Sequence, residues 1–341
     1  MELIRGLHNI KPKHRGCVLT IGNFDGVHLG HQAVLARVRE QAASYGVASA
    51  VMIFEPQPLE LFAPEKAPAR LCRWQDKFRL LSENGIDRVL LTQFNPRFAN
   101  LTAEQFIEDV LVAKLGVKLL VVGDDFRFGK GRTGDFKLLQ RAGEHFGFTV
   151  IDTASYRTEE IRVSSTAIRS ALATADFAAA ERMLGRPFTF SGRVRHGAKR
   201  GRTIGFPTAN IALQRLHSPL HGVYMVNVEA AGKLYGGVAN IGRKPTVAGD
   251  KELLEVHIFD FAATPELPDL YGQTLHVTPL VWLRDEKKFA DFAELQAQIK
   301  EDAATARALF TAMHDAALHE TCHETIHETF HESLDDMSDN K

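Results

Sequence analysis

A chain of 341 residues, 45% hydrophobic and 24% charged, is long enough for two hydrophobic cores and ordinary in composition. Its formal net charge of −1 excludes the global basic field of a nucleic-acid-binding surface. Three scattered cysteines (Cys17, Cys72, Cys322) exclude a disulfide framework, and no run of 18 apolar residues marks a membrane span. A cytoplasmic protein with neither nucleic-acid nor membrane partner is expected; transient self-association stays open.

In chain order, "GCVLTIGNF" is a short apolar β-rich run, and "HQAVLARVREQAASYG" has helical spacing that stops at Gly46. "ASAVMIFEP" predicts a second buried strand and "RWQDKFRLLSENG" a helix. "IDRVLLTQF" predicts a strand, and "TAEQFIEDVLVAKLG" an α-helix with Thr102 as its N-cap. "VKLLVVGDDF", "GDFKLLQRAGEHFG" and "FTVIDTASY" continue the alternation, and two short helices starting near Ser164 and Asp176 close it. Strands alternating with helices predict a parallel sheet covered on both faces. After "LGRPF" the texture changes to short strands separated by glycine, proline and acidic turns, which fits an antiparallel barrel or sandwich, followed by one long helical pattern. The expected organisation is 1–186, 187–313 and a tail of 314–341. In the tail His319, His323, His327 and His331 recur every four residues. Such spacing can hold a divalent metal, but with no second ligand type fixed nearby the simpler reading is a low-complexity extension, helical or disordered.

Two stretches are dense in chemistry. "GNFDGVHLGH" (22–31) joins the first strand to the first helix, where open α/β sheets bind ligands. Gly22, Gly26 and Gly30 let a phosphate approach the backbone, and His28 and His31, three apart, aim at one spot where charge builds on phosphorus. "VSSTAIRSAL" supplies a capped helix start, Ser164–Thr166, and a basic residue, Arg169, suited to outgoing phosphates. Phe54, Phe62, Phe126 and Phe128 are expected in loops after strands, where rings can stack on a flat heterocycle.

The second stretch, "HGAKRGRTIGFPTANI" (196–211), is a glycine-rich basic loop with Gly197, Lys199 and Gly205. Pro207 fixes the backbone before Thr208 and Asn210, whose oxygens suit Mg²⁺ and phosphate. Taken alone it reads first as a basic hairpin loop, the G-K-[ST] ending of a Walker A loop being absent. Glu255, in an apolar strand, is either a wet-face residue or a carboxylate placed to accept a hydroxyl proton.

Residues 22–31 resemble the nucleotidylyltransferase signature G-x-F-D-x-x-H-x-G-H. From about residue 15 to 312 the chain is similar to bacterial bifunctional riboflavin kinase/FAD synthetases, matching their "PTAN" element at 207–210, "GVANIGRKPTV", "DLYG" and a closing helix. The resemblance implies a Rossmann-like α/β domain that adenylylates FMN with ATP, then an antiparallel β-barrel with a C-terminal helix that phosphorylates riboflavin, both with Mg²⁺. It places Gly22, Phe24, Asp25, Gly30 and Ser164–Thr166 (with Ser165 between) at one ATP, and Gly197, Lys199, Gly205 and Thr208 at the other. It makes His28, His31, Arg169, Asn210 and Glu255 the catalytic set. It assigns Phe54, Phe62, Asp125, Phe126, Phe128 and Arg284 to flavin; Asp125 stands where some relatives carry asparagine. Two rivals stay in view: a transferase acting on another phosphorylated acceptor, and a flavin or nucleotide sensor on a degenerate transferase.

Overall fold

In the computed structural model, which describes residues 1–153, 163–196, 206–244, 251–260 and 270–335, the five predicted strands and an unforeseen one at Glu2–Arg5 build one six-stranded parallel sheet. The chain forms two units. One comprises Met1–Phe188 with Gln214–Leu220, the other Thr189–Leu213 with His221–Lys341. A single cut at residue 186 did not anticipate the 214–220 excursion. Its Arg215 Nη1 donates to the Arg70 carbonyl at 2.8 Å, and its His217 Nε2 donates to the Pro64 carbonyl at 3.1 Å.

In the first unit the strands are β1 (Glu2–Arg5), β2 (Cys17–Ile21), β3 (Ala48–Glu55), β4 (Arg88–Gln93), β5 (Val117–Val122) and β6 (Thr149–Asp152), in spatial order β1-β4-β3-β2-β5-β6. Neighbours along β2 face opposite sides. Val18 packs with Leu35 and Val38 of α1 (Leu29–Tyr45); Leu19 packs with Leu120 and Leu111 on the other face. That burial on both faces is why the strands read as continuous apolar runs. From β2 the chain winds outward through β3 and β4, then crosses to β5 on β2's other side. The order therefore reverses between β2 and β5, and their carboxyl ends, Ile21 and Val122, open the crevice where such sheets bind ligands.

The helices of this unit after α1 are α2 (Pro58–Phe62), α3 (Trp74–Glu83), α4 (Pro96–Ala99), α5 (Ala103–Gln105), α6 (Phe136–Phe146), α7 (Ser165–Ala173) and α8 (Phe177–Leu184). Thr102 accepts from the Gln105 amide as the expected N-cap, but the chain beyond it, Phe106–Leu115, is a π-helix rather than the predicted α-helix. Its buried residues Phe106, Ile107, Val110, Leu111 and Leu115 step by four and five, the wider turn that keeps them all on the sheet.

The second unit resolves the barrel-or-sandwich alternative. Strands β7 (Phe190–Arg195), β8 (Thr208–Ala212), β9 (Gly222–Ala230), β10 (Lys233–Lys244), β11 (Lys251–Ile258) and β12 (Thr274–Arg284) close into a barrel, β10-β11-β8-β7-β12-β9. Ala231 and Gly232, both at positive φ (50° and 75°), make the two-residue turn that matches strand twist between β9 and β10. Leu254 and Val256 are buried; Glu255 and His257 alternate with them on β11's other face. The final helix, α9 (Phe292–Asp335), packs Ala303 and Ala306 against Met225 and Phe259, and runs on through the histidine repeat.

Candidate active sites

The Gly22–Val27 loop leaves the end of β2 and is pinned at nearly every residue. Phe24 and Val27 hold left-handed φ of 46° and 42°, unfavourable for side-chain-bearing residues, so the surroundings must enforce them. Asp25, 3% exposed, accepts from the Leu71 and Cys72 amides at 3.0 and 3.2 Å and from Arg169 Nη2 at 2.5 Å. Ser165 Oγ donates to the Asp25 carbonyl at 3.0 Å. Arg186 donates to the Gly26 and Val27 carbonyls, Gln32 Nε2 to the Val27 carbonyl, and the Gly26 amide to Cys72 Sγ. Lys77, 1% exposed, donates to the Asn23 carbonyl.

The loop delivers His28 as N-cap of α1. Its Nδ1 accepts from the His31 amide at 3.2 Å, so its proton sits on Nε2, which is left as a donor. The rings of His28 and His31 stack, with centroids 3.6 Å apart and an angle of 14°, and Phe24 lies 4.9 Å from His31. His31 Nδ1 is buried without a hydrogen-bond partner among the described residues. Burial pushes the His28 pKa down to about 4 and His31 well below its ordinary value, so both rings are neutral at pH 7.

The two predicted phosphate elements do meet here, and three of their residues have partners within the protein. Arg169 is not a free arm: Asp25 and the Ala69 carbonyl (2.6 Å) take its guanidinium. Asp25 is buried and fully engaged, so it anchors the loop. Phe24, 4% exposed, packs against His31. Ser164 caps α7 by accepting from Ala167, while Thr166 is exposed.

The flavin-assigned phenylalanines form one connected series. Phe62 meets Phe94 (5.7 Å), Phe94 meets Phe54 (5.5 Å), and Phe98 links Phe54 (5.7 Å) to Phe106 (6.1 Å). Phe106 meets Phe128 (5.4 Å), which stacks on Phe126 (5.7 Å). Phe126 and Phe128 lie in the segment after β5, as expected, but the other placements differ. Phe54 is the penultimate residue of β3, Phe62 ends α2 and is 64% exposed, and Phe128 is buried in the core. Asp125 is exposed at the open end of the crevice. Phe94 and Phe98 were missed; the signal available was "QFNPRF" directly after a strand.

In the barrel unit, a cavity of about 340 Å³ lies between the outer face of β8–β11 and α9, lined by Thr208, Asn240, Glu255, His257, Arg284 and Glu286 among others. Antiparallel register sets Asn210 opposite Glu255 and Thr208 opposite His257, and β10 sets Asn240 on Glu255's other side. Thr208 is exposed and Asn210 half-buried, so their side-chain oxygens, hard donors of the kind Mg²⁺ takes, are accessible on one edge. His257 Nδ1 donates to the Pro207 carbonyl at 3.1 Å, which fixes the strand entering Thr208; burial lowers its pKa. Arg284 lines the cavity and is clamped by Asp302 at 2.7 and 2.9 Å. Asn240 Nδ2 donates to Glu286 at 3.3 Å, and Gly242 makes room, since a Cβ there would lie 1.9 Å from Glu286 Oε1. Asn240, His257 and Glu286 were not foreseen. Gly197, Lys199 and Gly205 lie outside the described residues.

Two family models divide the chain as the two sites do: FAD synthetase matches residues 10–167 and riboflavin kinase residues 184–310. The chain is 54% identical over 312 residues to the bifunctional riboflavin kinase/FMN adenylyltransferase of Escherichia coli (strain K12), covering 91% of this chain and 98% of that protein. It is 49% identical over 313 residues to the enzyme of the same name from Haemophilus influenzae, covering 92% and 100%. A solved structure described as a macrolide-efflux protein from Streptococcus pneumoniae is 31% identical, covers 90% of this chain and 99% of its own, and superposes with a TM-score of 0.69. With both modules present in full and each site built on its own sheet, the chain belongs to the bifunctional riboflavin kinase/FMN adenylyltransferases.

Proposed function

We propose that the two activities of this chain, phosphorylation of riboflavin to FMN and adenylylation of FMN to FAD, divide between the histidine pair and the Glu255 cavity. In the first unit an FMN phosphate oxygen attacks the α-phosphorus of ATP, and the breaking P–O bond leaves with pyrophosphate. His28 Nε2–H donates to the oxygens on which charge builds. The orphaned, buried His31 Nδ1 supports the same assignment, because a bound ligand would complete it. The unspent amides at the start of α7, Ser165 and Thr166, face negative charge with the helix dipole behind them, while Arg169 holds Asp25 and thereby the loop. The aromatic series from Phe62 to Phe126 is assigned to the isoalloxazine.

In the second unit Glu255 takes the riboflavin 5′-hydroxyl proton as that oxygen attacks the γ-phosphorus and ADP departs. Thr208 and Asn210 would hold Mg²⁺, which when bound supplies charge neutralisation on the phosphates. Arg284, fixed by Asp302, is assigned to the flavin side of the cavity. ATP as the shared co-substrate and two free buried thiols, Cys17 and Cys72, favour the cytoplasm.

What supports this division is that His28, His31 and Arg169 fall in one unit of the chain and Thr208, Asn210 and Glu255 in the other. His28→Ala should lower FAD formation from FMN by about 100-fold or more and leave riboflavin phosphorylation intact. Asn210→Ala should lower phosphorylation and spare adenylylation when FMN is supplied. Separation of the flavins after incubation with ATP and magnesium reads both; loss of both activities in either folded variant refutes the division.

A further inference from the structure

Lys77 occupies a position that the pattern of α3 reserves for an apolar residue. It shares the buried face with Leu80 and Leu81, three and four residues on, and is itself 1% exposed. A lysine so placed loses its hydration, and an apolar residue of similar volume would ordinarily serve stability better. Its one hydrogen bond among the described residues goes to the Asn23 carbonyl, a neutral acceptor. The nearby carboxylates are spent elsewhere: Asp76 on Arg73, and Asp25 on Arg169 and two backbone amides. The lysine is therefore held beneath the motif loop at a cost, with no carboxylate bonded to it.

We propose that Lys77 is a positioning residue for adenylyl transfer, holding the Asn23 carbonyl from below and keeping a cationic side chain behind the histidine pair where the transferring phosphate develops charge. Two features of the loop require such a prop. Phe24, next to Asn23, has its φ at 46°, a conformation that relaxes unless its neighbours over-determine it. Phe24 in turn packs on His31, so slackening at Asn23 passes through one residue to the imidazole. Burial, with the Lys77 ammonium and the adjoining His28 ring adding to it, holds His31 neutral. In a site this dry, a preorganised charge acts strongly on a dianionic transition state. The same pairing of a stability cost with a gain at the site explains why the position is not leucine.

The inference rests on the assignment of the histidine pair to adenylyl transfer, and the test separates the two. Lys77→Met and Lys77→Gln are made in the full chain, and kcat and KM for FMN adenylylation are measured beside riboflavin phosphorylation in the same preparations, with His28→Ala in parallel. Lys77→Met should unfold cooperatively at a denaturant midpoint equal to or above wild type, phosphorylate riboflavin normally, and lose at least tenfold in adenylylation kcat with KM for FMN and ATP within about threefold. Lys77→Gln, which keeps a donor for the Asn23 carbonyl without the charge, should recover part of that loss. A kcat less than tenfold reduced in Lys77→Met, or a loss expressed in KM alone, overturns the proposal. So does failure of both variants to fold, which would make the lysine a core residue only. If His28→Ala itself leaves FAD formation intact, it is the site assignment that falls.

Discussion

At the residue scale, the neutrality of the histidine pair has a consequence that can be titrated. His28 has a folded pKa near 4 against an ordinary value of 6.5, because burial penalises its charged form. Between those limits the unfolded chain binds a proton that the folded chain refuses, so stability is complete above about pH 6.5 and is lost as pH falls toward 4. The full difference amounts to up to about 3 kcal/mol for this ring. Glu2, held at about 2 by Lys13 and His14, titrates below its ordinary 4.5, so its contribution levels off above pH 4.5. The two tryptophans, Trp74 and Trp282, fall one in each unit. In a Trp282→Phe background, denaturation followed by Trp74 fluorescence should show the first unit weakening from pH 6.5 to 4. His28→Asn, which retains an N-cap without the titration, should reduce that slope and leave the part due to His31. An unchanged slope would mean that His28 is not the proton-refusing group. The histidines themselves were legible, since glycine spacing and H-x-x-H sit in contiguous residues. Lys77, Arg186 and Phe94 were not: each reaches the loop or pocket from another element, and a lysine in "RWQDKFRLL" looks like any solvated position until the helix face is known.

At the scale of elements, α6 shows why propensity alone misleads. Gly143 sits inside the helix Phe136–Phe146, where replacing glycine by alanine gains about 1 kcal/mol in an exposed helix. Here an added Cβ would lie 2.3 Å from the Phe148 carbonyl oxygen, a backbone atom that cannot swing aside. That carbonyl belongs to the turn that feeds β6, and both the Gly147 and Phe148 amides bond back to the Gly143 carbonyl. Overpacking against backbone costs about 1–3 kcal/mol or more, which outweighs the propensity gain. Gly143→Ala should therefore lower the stability of the first unit by about 2 kcal/mol in urea denaturation; a stabilised variant would show that the α6–β6 turn yields. The same contrast governs what sequence could tell of the elements. Five strands of each unit and the caps at Thr102 and Ser164 are local properties and were readable, whereas β1 and β8, the latter carrying Thr208 and Asn210 on a strand and not in the expected loop, were not. The π-helical winding of Phe106–Leu115 was not, because it answers to the surface of the sheet beneath it. Barrel against sandwich depended on which edges pair, and alternation within single strands carries no record of that.

At the scale of the whole molecule, the open element is the histidine repeat. The helix that carries it also carries barrel packing: Ala303, Ala306, Leu309 and Phe310 lie against the barrel, and Phe310 closes over Gly236 so tightly that a Cβ there would meet its ring at 3.0 Å. The riboflavin kinase model ends at residue 310, and the matched relatives are covered to 98% and 100% of their length by 312 and 313 aligned residues. The matched family segment thus stops short of the repeat, and among the described residues the apolar barrel contacts of α9 come from Ala303 to Phe310. No described helix is long and apolar enough to cross a membrane, and the described residues hold no cluster of three or more metal-ligating side chains. A chain ending at Met313 should keep kcat and KM for both reactions within about twofold of the full chain and change the melting temperature by less than about 3 °C, a shift below 1 kcal/mol for a domain of this size. A chain ending at Thr305 removes Ala306, Leu309 and Phe310, large-to-small losses of about 2–5 kcal/mol for the bulkier side chains. It should lose riboflavin phosphorylation while FMN supplied from outside is still adenylylated. If the Met313 truncation lost phosphorylation as well, the repeat would be part of the kinase unit and the division of α9 into a packing segment and an appended one would fail.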